Sequence, residues 1–417
     1  MSQMLLIGNC SQLLVVSSDN GKPLRGKKQK DLLTIPNGSI MIQDGKILDF
    51  GLEEDLKRKY SSYQYFDGNQ CLLMPAFVDP HTHLVFSGTR EDEFLMRIRG
   101  ESYIDILKKG YGIHSTVLST KKESEQTLYE LAKNNIQQMQ KYGTVGLEIK
   151  SGYGLDTETE KKILIVIDML SKTIPVPIRI TLLAGHAVPK EYMNNRKAYI
   201  DLLCNEMIPS LAYLANYIDV FCEEGVFSVE ESNLILQKGL EYGLKPKLHV
   251  DEFKAIGGLT LANKVDAVSV DHLIVSKLEE IRNLRNGHTI GVVLPGTSFS
   301  MESIDEMYAR RLIDMDIPVA IGTDFNPGTC MCYSMQAMIE LAVLKMSLSI
   351  EEAVNAATIN ASFACGIEKE TGSIEIGKRA DLLLLQVDRY QKIPYFWGVN
   401  KVAKVFISGQ VVDFTKC

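Results

Sequence analysis

Eight apolar, β-branched segments recur through the middle of the chain, each followed by polar or glycine residues and usually by a helical pattern. They are LLMPAFVDPHTH, GTVGLEIKSGYG, IRITLLAGHAV, YIDVFCEEGVF, KLHVDEF, DAVSVDHL, GHTIGVVLPG and IPVAIGTDFNPG. Eight strand–helix alternations predict a closed parallel (β/α)8 barrel of TIM type rather than an open doubly wound sheet. The intervening runs read as helices. SEQTLYELAKNNIQQMQKYG has apolar residues at helical spacing and closes on Gly143, and TETEKKILIVIDMLSK opens with Thr157 and Glu160 in a capping-box pattern. A chain of 417 residues accommodates such a barrel and one appended module.

The two ends read differently. GSIMIQDGKILDFG is two alternating runs around Asp44-Gly45, a strong hairpin signal, and the first ten residues form an apolar run read as a strand. GSIEIGKRADLLLLQ and KVAKVFISGQVVDF repeat the pattern of strands bracketed by glycine turns. The termini are therefore expected to meet in one small β-sandwich domain, residues 1–74 with 367–417. The barrel, residues 75–366, is then an insertion between its halves. There is no repeat of solenoid period and no low-complexity tract.

Composition excludes several classes of function. A hydrophobic content of 45% and a charged content of 23% support a large core in a soluble chain. A net charge of −7 argues against nucleic acid or an anionic membrane as partner, since phosphate binding needs clustered positive charge. The one basic run, Arg25, Lys27, Lys28 and Lys30, reads as a solvated loop. No stretch reaches the roughly 18 apolar residues of a membrane helix. The eight cysteines are scattered, which suggests reduced thiols and a cytoplasmic address.

Active sites of such barrels lie at the C-terminal ends of the strands, and the reactive side chains cluster there. His81 and His83 follow the first segment, Tyr153 the second and His186 the third; Glu223 and Glu224 end the fourth. His249 and Glu252 end the fifth, His272 the sixth, and Asp324 and Asn326 the eighth. In a strand, residues i and i+2 share a side, so His81 and His83 can meet one metal while Thr82 faces away. His249 supplies a third nitrogen. Asp324 supplies a carboxylate, because the first and eighth strands of a closed barrel are neighbours. Three imidazoles and a carboxylate suit one metal ion per chain, divalent or trivalent, zinc or iron. A water held there has its pKa lowered from about 15.7 towards 7. Glu252 is placed for proton transfer and His272 for polarising a carbonyl or orienting the water. Asp271 is expected to point the other way. No lysine ends the fourth segment, and Lys150 has no evident second ligand set beside it, so a single metal is expected.

PAFVDPHTHLVFSGTREDEFLMRIRG, EIKSGYGLDTETE, LAGHAVPKEY, DVFCEEGVFSVEES, HVDEF, VDHL and GTDFNPG together resemble, in the same order, the imidazolonepropionases of the amidohydrolase superfamily. The likeness runs from about residue 40 to 385. It implies hydrolytic opening of 4-imidazolone-5-propanoate to N-formimidoyl-L-glutamate in histidine degradation. It implies that His81, His83, His249 and Asp324 are the metal ligands and that Arg90 binds substrate. It places Tyr153, His186 and Glu252 against the imidazolone, and Asn326, Gly328 and Thr329 in a loop contacting substrate or product. A homodimer is implied as well. An arginine fork suits a propanoate tail, and Tyr153 and His186 offer donors and acceptors to a polar ring. Arg90 could instead pair with Glu91 or Asp92. Two departures stand out: Tyr111 where the family commonly has a triple-glycine loop, and Cys330 and Cys332 after NPG. Two other readings share these residues. A purine-type deaminase would use the same metal set but lacks a reason for Arg90 and Tyr153. A non-catalytic barrel would usually have lost a ligand, and none is missing.

Overall fold

The computed structural model describes residues 4–101, 111–285, 287–302 and 307–414. Its centre is an eight-stranded, wholly parallel sheet. In chain order the barrel strands are Phe77–Thr82, Thr144–Lys150, Ile178–Gly185, Tyr217–Cys222, Lys245–Val250, Ser269–His272, Ile290–Val293 and Val319–Ile321. Seven of the eight expected segments contain one of them whole, and KLHVDEF overlaps the fifth from Lys247 onward. The barrel closes beyond the last strand, where Asp324 N donates to His81 O at 3.0 Å and His83 N donates to Phe325 O at 2.9 Å. Those two bonds place the aspartate beside the histidine pair.

The termini build two further sheets. One orders Lys46–Leu52, Gly38–Gln43, Met4–Gly8 and Gln64–Asp67; the other orders Gln410–Val411, Val402–Ile407, Leu382–Leu385, Leu72–Pro75, Gln12–Val15 and Leu33–Pro36. The expected hairpin is present, and both Asp44 and Gly45 have positive φ, the geometry of its two-residue turn. Residues 1–3 of the expected first strand, and Cys417, lie outside the described residues. Leu382–Leu385 is apolar at every position because both its faces are covered. Leu382 and Leu384 pack into the core shared by the two terminal sheets, and Leu383 and Leu385 into the barrel's helix layer.

Four expectations need correction. The first barrel segment is two strands, since Leu72–Pro75 pairs with Leu382–Leu385 before the chain enters the barrel at Phe77. The helix Thr157–Thr173 is capped by Asp156, whose side chain accepts from Thr159 N, so Thr157 opens no capping box. GSIEIG contains no strand. The basic run keeps Lys27, Lys28 and Lys30 exposed as expected, but it is a 3-10 turn, Gly26–Lys30, and Arg25 is anchored through hydrogen bonds to the carbonyls of Asp316 and Arg285. No helix among the described residues is long and apolar enough to cross a membrane.

Candidate active site

His81 and His83 leave the first barrel strand on the same side, with Nε2 atoms 3.2 Å apart, while Thr82 turns away to donate to Glu148 O. Asp324 Oδ1 stands 3.5 Å from His81 Nε2 and 3.6 Å from His83 Nε2. His249 joins them, its ligating nitrogen within 4.8 Å of those of His81 and His83. His249 Nε2 is buried without a hydrogen-bond partner. Four residues from the ends of the first, fifth and eighth strands thus converge. Donors at about 2.0–2.1 Å from one ion, at tetrahedral angles, stand about 3.4 Å apart. The three measured edges of 3.2, 3.5 and 3.6 Å bracket that value. Burial pushes the Asp324 carboxyl up to about 6, opposed by the 2.6 Å bond it accepts from Thr297 Oγ1.

The imidazoles are oriented from below. His81 Nδ1 meets Asp271 Oδ2 at 2.7 Å and His249 Nδ1 meets Asp219 Oδ1 at 3.1 Å. This is the carboxylate–histidine arrangement that fixes the tautomer and aims the other nitrogen at a metal. Lys150 Nζ binds both carboxylates, Asp219 at 2.8 Å and Asp271 at 3.1 Å, and Glu148 at 2.7 Å. Burial opposes its charge, but Asp219, Asp271 and Glu148 outweigh burial and hold the ammonium well above its ordinary value. Besides His81, His272 and Asp324, a further trio of possible ligand atoms is Asp219, Asp271 and His249, and Lys150 bonds to both of its carboxylates. The sequence reading missed this clamp. Its signal was present as lone charges, Lys150, Asp219 and Asp271, inside apolar strands.

Asp271 therefore does not point away, contrary to the strand-period expectation. It faces the barrel interior, and so does His272. His272 has φ of 78° and Leu273 of 65°, so the strand's alternation ends there and the ring swings inward. The His272 and His81 ring centroids are 5.7 Å apart. Glu252 Oε2 lies 3.7 Å from His272 Nδ1. Burial, reinforced by Asp324 and Glu223, pushes the Glu252 carboxyl well above its usual range. Glu223, at the end of the fourth strand, accepts from Phe253 N and Lys254 N and so holds the loop that carries Glu252.

Above the histidines is a cavity of about 170 Å³ lined by Tyr153, His186, Glu252, Arg90 and Arg97 among others. Glu160 accepts from Gly152 N, Gly154 N and Leu155 N at 2.9, 2.6 and 3.0 Å, fixing the loop that presents Tyr153. His186 Nδ1 donates to Gly152 O at 3.0 Å, which leaves Nε2 as an acceptor, and its ring stacks on His83. Burial lowers His186 to about 3 and keeps it neutral. Arg90 pairs neither with Glu91 nor with Asp92; Glu93 takes its Nε and Nη2 at 2.8 and 2.6 Å. Asn326 organises its own loop. Its Oδ1 accepts from Gly328 N and Thr329 N, and its Nδ2 donates to Asp324 O and Thr329 Oγ1. A Cβ at Gly328 would meet the Arg90 guanidinium, so any other residue there would make that side chain shift. Cys330 closes the same loop through paired backbone bonds with Asn326. A larger groove of about 900 Å³ lies at the other end of the barrel, around 173–179 and 407–412, and no histidine or cysteine lines it.

A parallel barrel with histidines and an aspartate converging at its strand ends defines an amidohydrolase, and a model described as "Amidohydrolase family" matches residues 227–412. The fold is shared with E. coli guanine deaminase, at a TM-score of 0.72, 14% identity and coverage of 99% of each chain. The chain is 42% identical over 412 residues to the imidazolonepropionase of Clostridium tetani, covering 98% of each. It is 40% identical over 410 residues to that of Flavobacterium johnsoniae, covering 98% of this chain and 99% of the relative. This chain belongs to the imidazolonepropionase family.

Proposed function

We propose that the chain hydrolyses 4-imidazolone-5-propanoate to N-formimidoyl-L-glutamate, a step of histidine degradation, with one metal ion held by His81, His83, His249 and Asp324. The observation that carries the site is the set of distances among His81, His83 and Asp324, 3.2, 3.5 and 3.6 Å, which match three of the six edges of a tetrahedral zinc or iron site, with His249 within 4.8 Å of both histidines. When bound, such a metal polarises a carbonyl and makes water acidic enough to attack at neutral pH.

The chain's own residues supply the rest. Asp324 accepts the proton of the attacking water. His272, kept neutral because burial lowers it to about 3, offers one N–H to the developing oxyanion. Glu252 is held protonated by burial and delivers its proton to the ring nitrogen as the C–N bond breaks. His186 Nε2 accepts from a ring N–H. Tyr153 stays protonated, because burial pushes its phenol up, and donates to the ring. The seven described cysteines are all free, which supports a reducing, cytoplasmic setting. A homodimer completes the proposal; Phe94, Phe299 and Met331 expose apolar surface beside the cavity mouth.

The test is purified protein, metal analysis and loss of imidazolone absorbance on one sample. One metal per chain and turnover of the imidazolone are expected. Glu252→Gln should keep its metal and lose about 10²–10⁴-fold in kcat; full activity in that variant removes Glu252 from the scheme, and ammonia release from guanine would instead support a deaminase.

A further inference from the structure

Arg90, Glu93 and Arg97 stand at positions 0, +3 and +7 around the helix Glu91–Ile98, a spacing that puts all three on one face. That face is turned to the cavity: all three residues line it. The two guanidiniums bracket Gly328. Arg90 lies against its Cα, and Arg97 Nη2 donates to its carbonyl at 3.1 Å. Among the described residues Glu93 is the one carboxylate on this helix face beside the two cations. Glu93 is taken by the parallel fork of Arg90 Nε and Nη2 and also accepts from Gly112 N at 3.0 Å.

Among the described residues Arg97 is left without a counter-ion. Among the described residues no carboxylate lies within ion-pair distance of it. Its Nε is buried without a hydrogen-bond partner, and its Nη1 rests on Met301 Sδ, a weak acceptor. Burial is the largest influence on this group and acts against its charge, with Glu93 too far to pair and Arg90 adding repulsion. A partly desolvated guanidinium that lacks an anion is costly, and an anion bound beside it recovers that cost. Two arginines and one glutamate sum to a single unmatched positive charge at one wall of the cavity. A substrate with a neutral ring and one carboxylate tail matches that count.

We propose that Arg97 is the counter-ion of the substrate's propanoate carboxylate, with Arg90 kept in place by Glu93 and contributing its free Nη1 as a second donor. This inference rests on the reaction proposed above. Compare 4-imidazolone-5-propanoate with its uncharged propanamide on the wild type, Arg97→Met and Arg97→Lys. The Met variant should lose about 10- to 100-fold in kcat/KM on the propanoate, mostly through KM, and less than about 2-fold on the propanamide. The Lys variant should recover part of the loss. Equal losses on both substrates, or no loss on the propanoate, overturn the assignment. If the wild type opens neither ring, the reaction reading fails, and calorimetric titration with imidazole-4-propanoate against imidazole-4-propanamide still decides the role of Arg97. There the Met variant should abolish the preference for the acid, and an undiminished preference rejects the proposal.

Discussion

Beneath the histidines, Glu148, Lys150, Asp219, Lys247 and Asp271 satisfy one another in a fully buried box; above them, Arg97 faces a cavity and has no anion of its own among the described residues. The floor lies on barrel strands, and each of its charges is pinned by at least one buried partner, so the imidazoles it holds have little freedom to reorient. The mouth is made of loops and one short helix, and it keeps unused hydrogen-bonding capacity. Charge compensated from within serves geometry, whereas charge left over serves recognition. The difference also explains why one ammonium, Lys150, touches the carboxylates behind two of the proposed ligands, His81 and His249.

Substitutions on each side sharpen the contrast. Lys150→Met should be the most disruptive to folding, because it strands buried carboxylates; unfolding in urea is expected to lose about 3–5 kcal/mol. A loss below about 1 kcal/mol would erase the distinction between floor and mouth. Asp271→Asn, which keeps the shape but weakens the grip on His81, should bind metal about 10- to 100-fold less tightly in chelator competition. The smallest effect concerns Glu252. Its folded-state pKa is raised, so the native state holds a proton that the unfolded chain loses as pH rises through the ordinary glutamate range, and stability falls over that interval. Glu252→Gln removes this cost. At pH 7 it should raise the Tm by about 2 °C while turnover collapses; an unchanged or lower Tm would contradict the buried, protonated assignment.

The barrel was legible because its strands repeat, and the candidate ligands were legible because histidines at strand ends stand out against apolar neighbours. The floor was not, since Asp219 and Asp271 each look like a lone exception until the closed sheet brings them together around Lys150. His272 defeated the period-two rule because its backbone leaves the strand conformation at that residue. Glu160 looked like half of a capping box. With Asp156 as the cap one residue earlier, it is free to hold the loop around Tyr153. Arg97 was overlooked because no strand end marks it, and its importance emerges only once Glu93 is seen to be occupied by Arg90.

Crystals grown with stoichiometric zinc or iron and measured at the metal's absorption edge offer the sharpest check. A single anomalous peak at about 2.0–2.2 Å from nitrogens of His81, His83 and His249 and an oxygen of Asp324 is the predicted result. A peak centred between Asp219 and Asp271, or one that leaves His249 or Asp324 unligated, would contradict it.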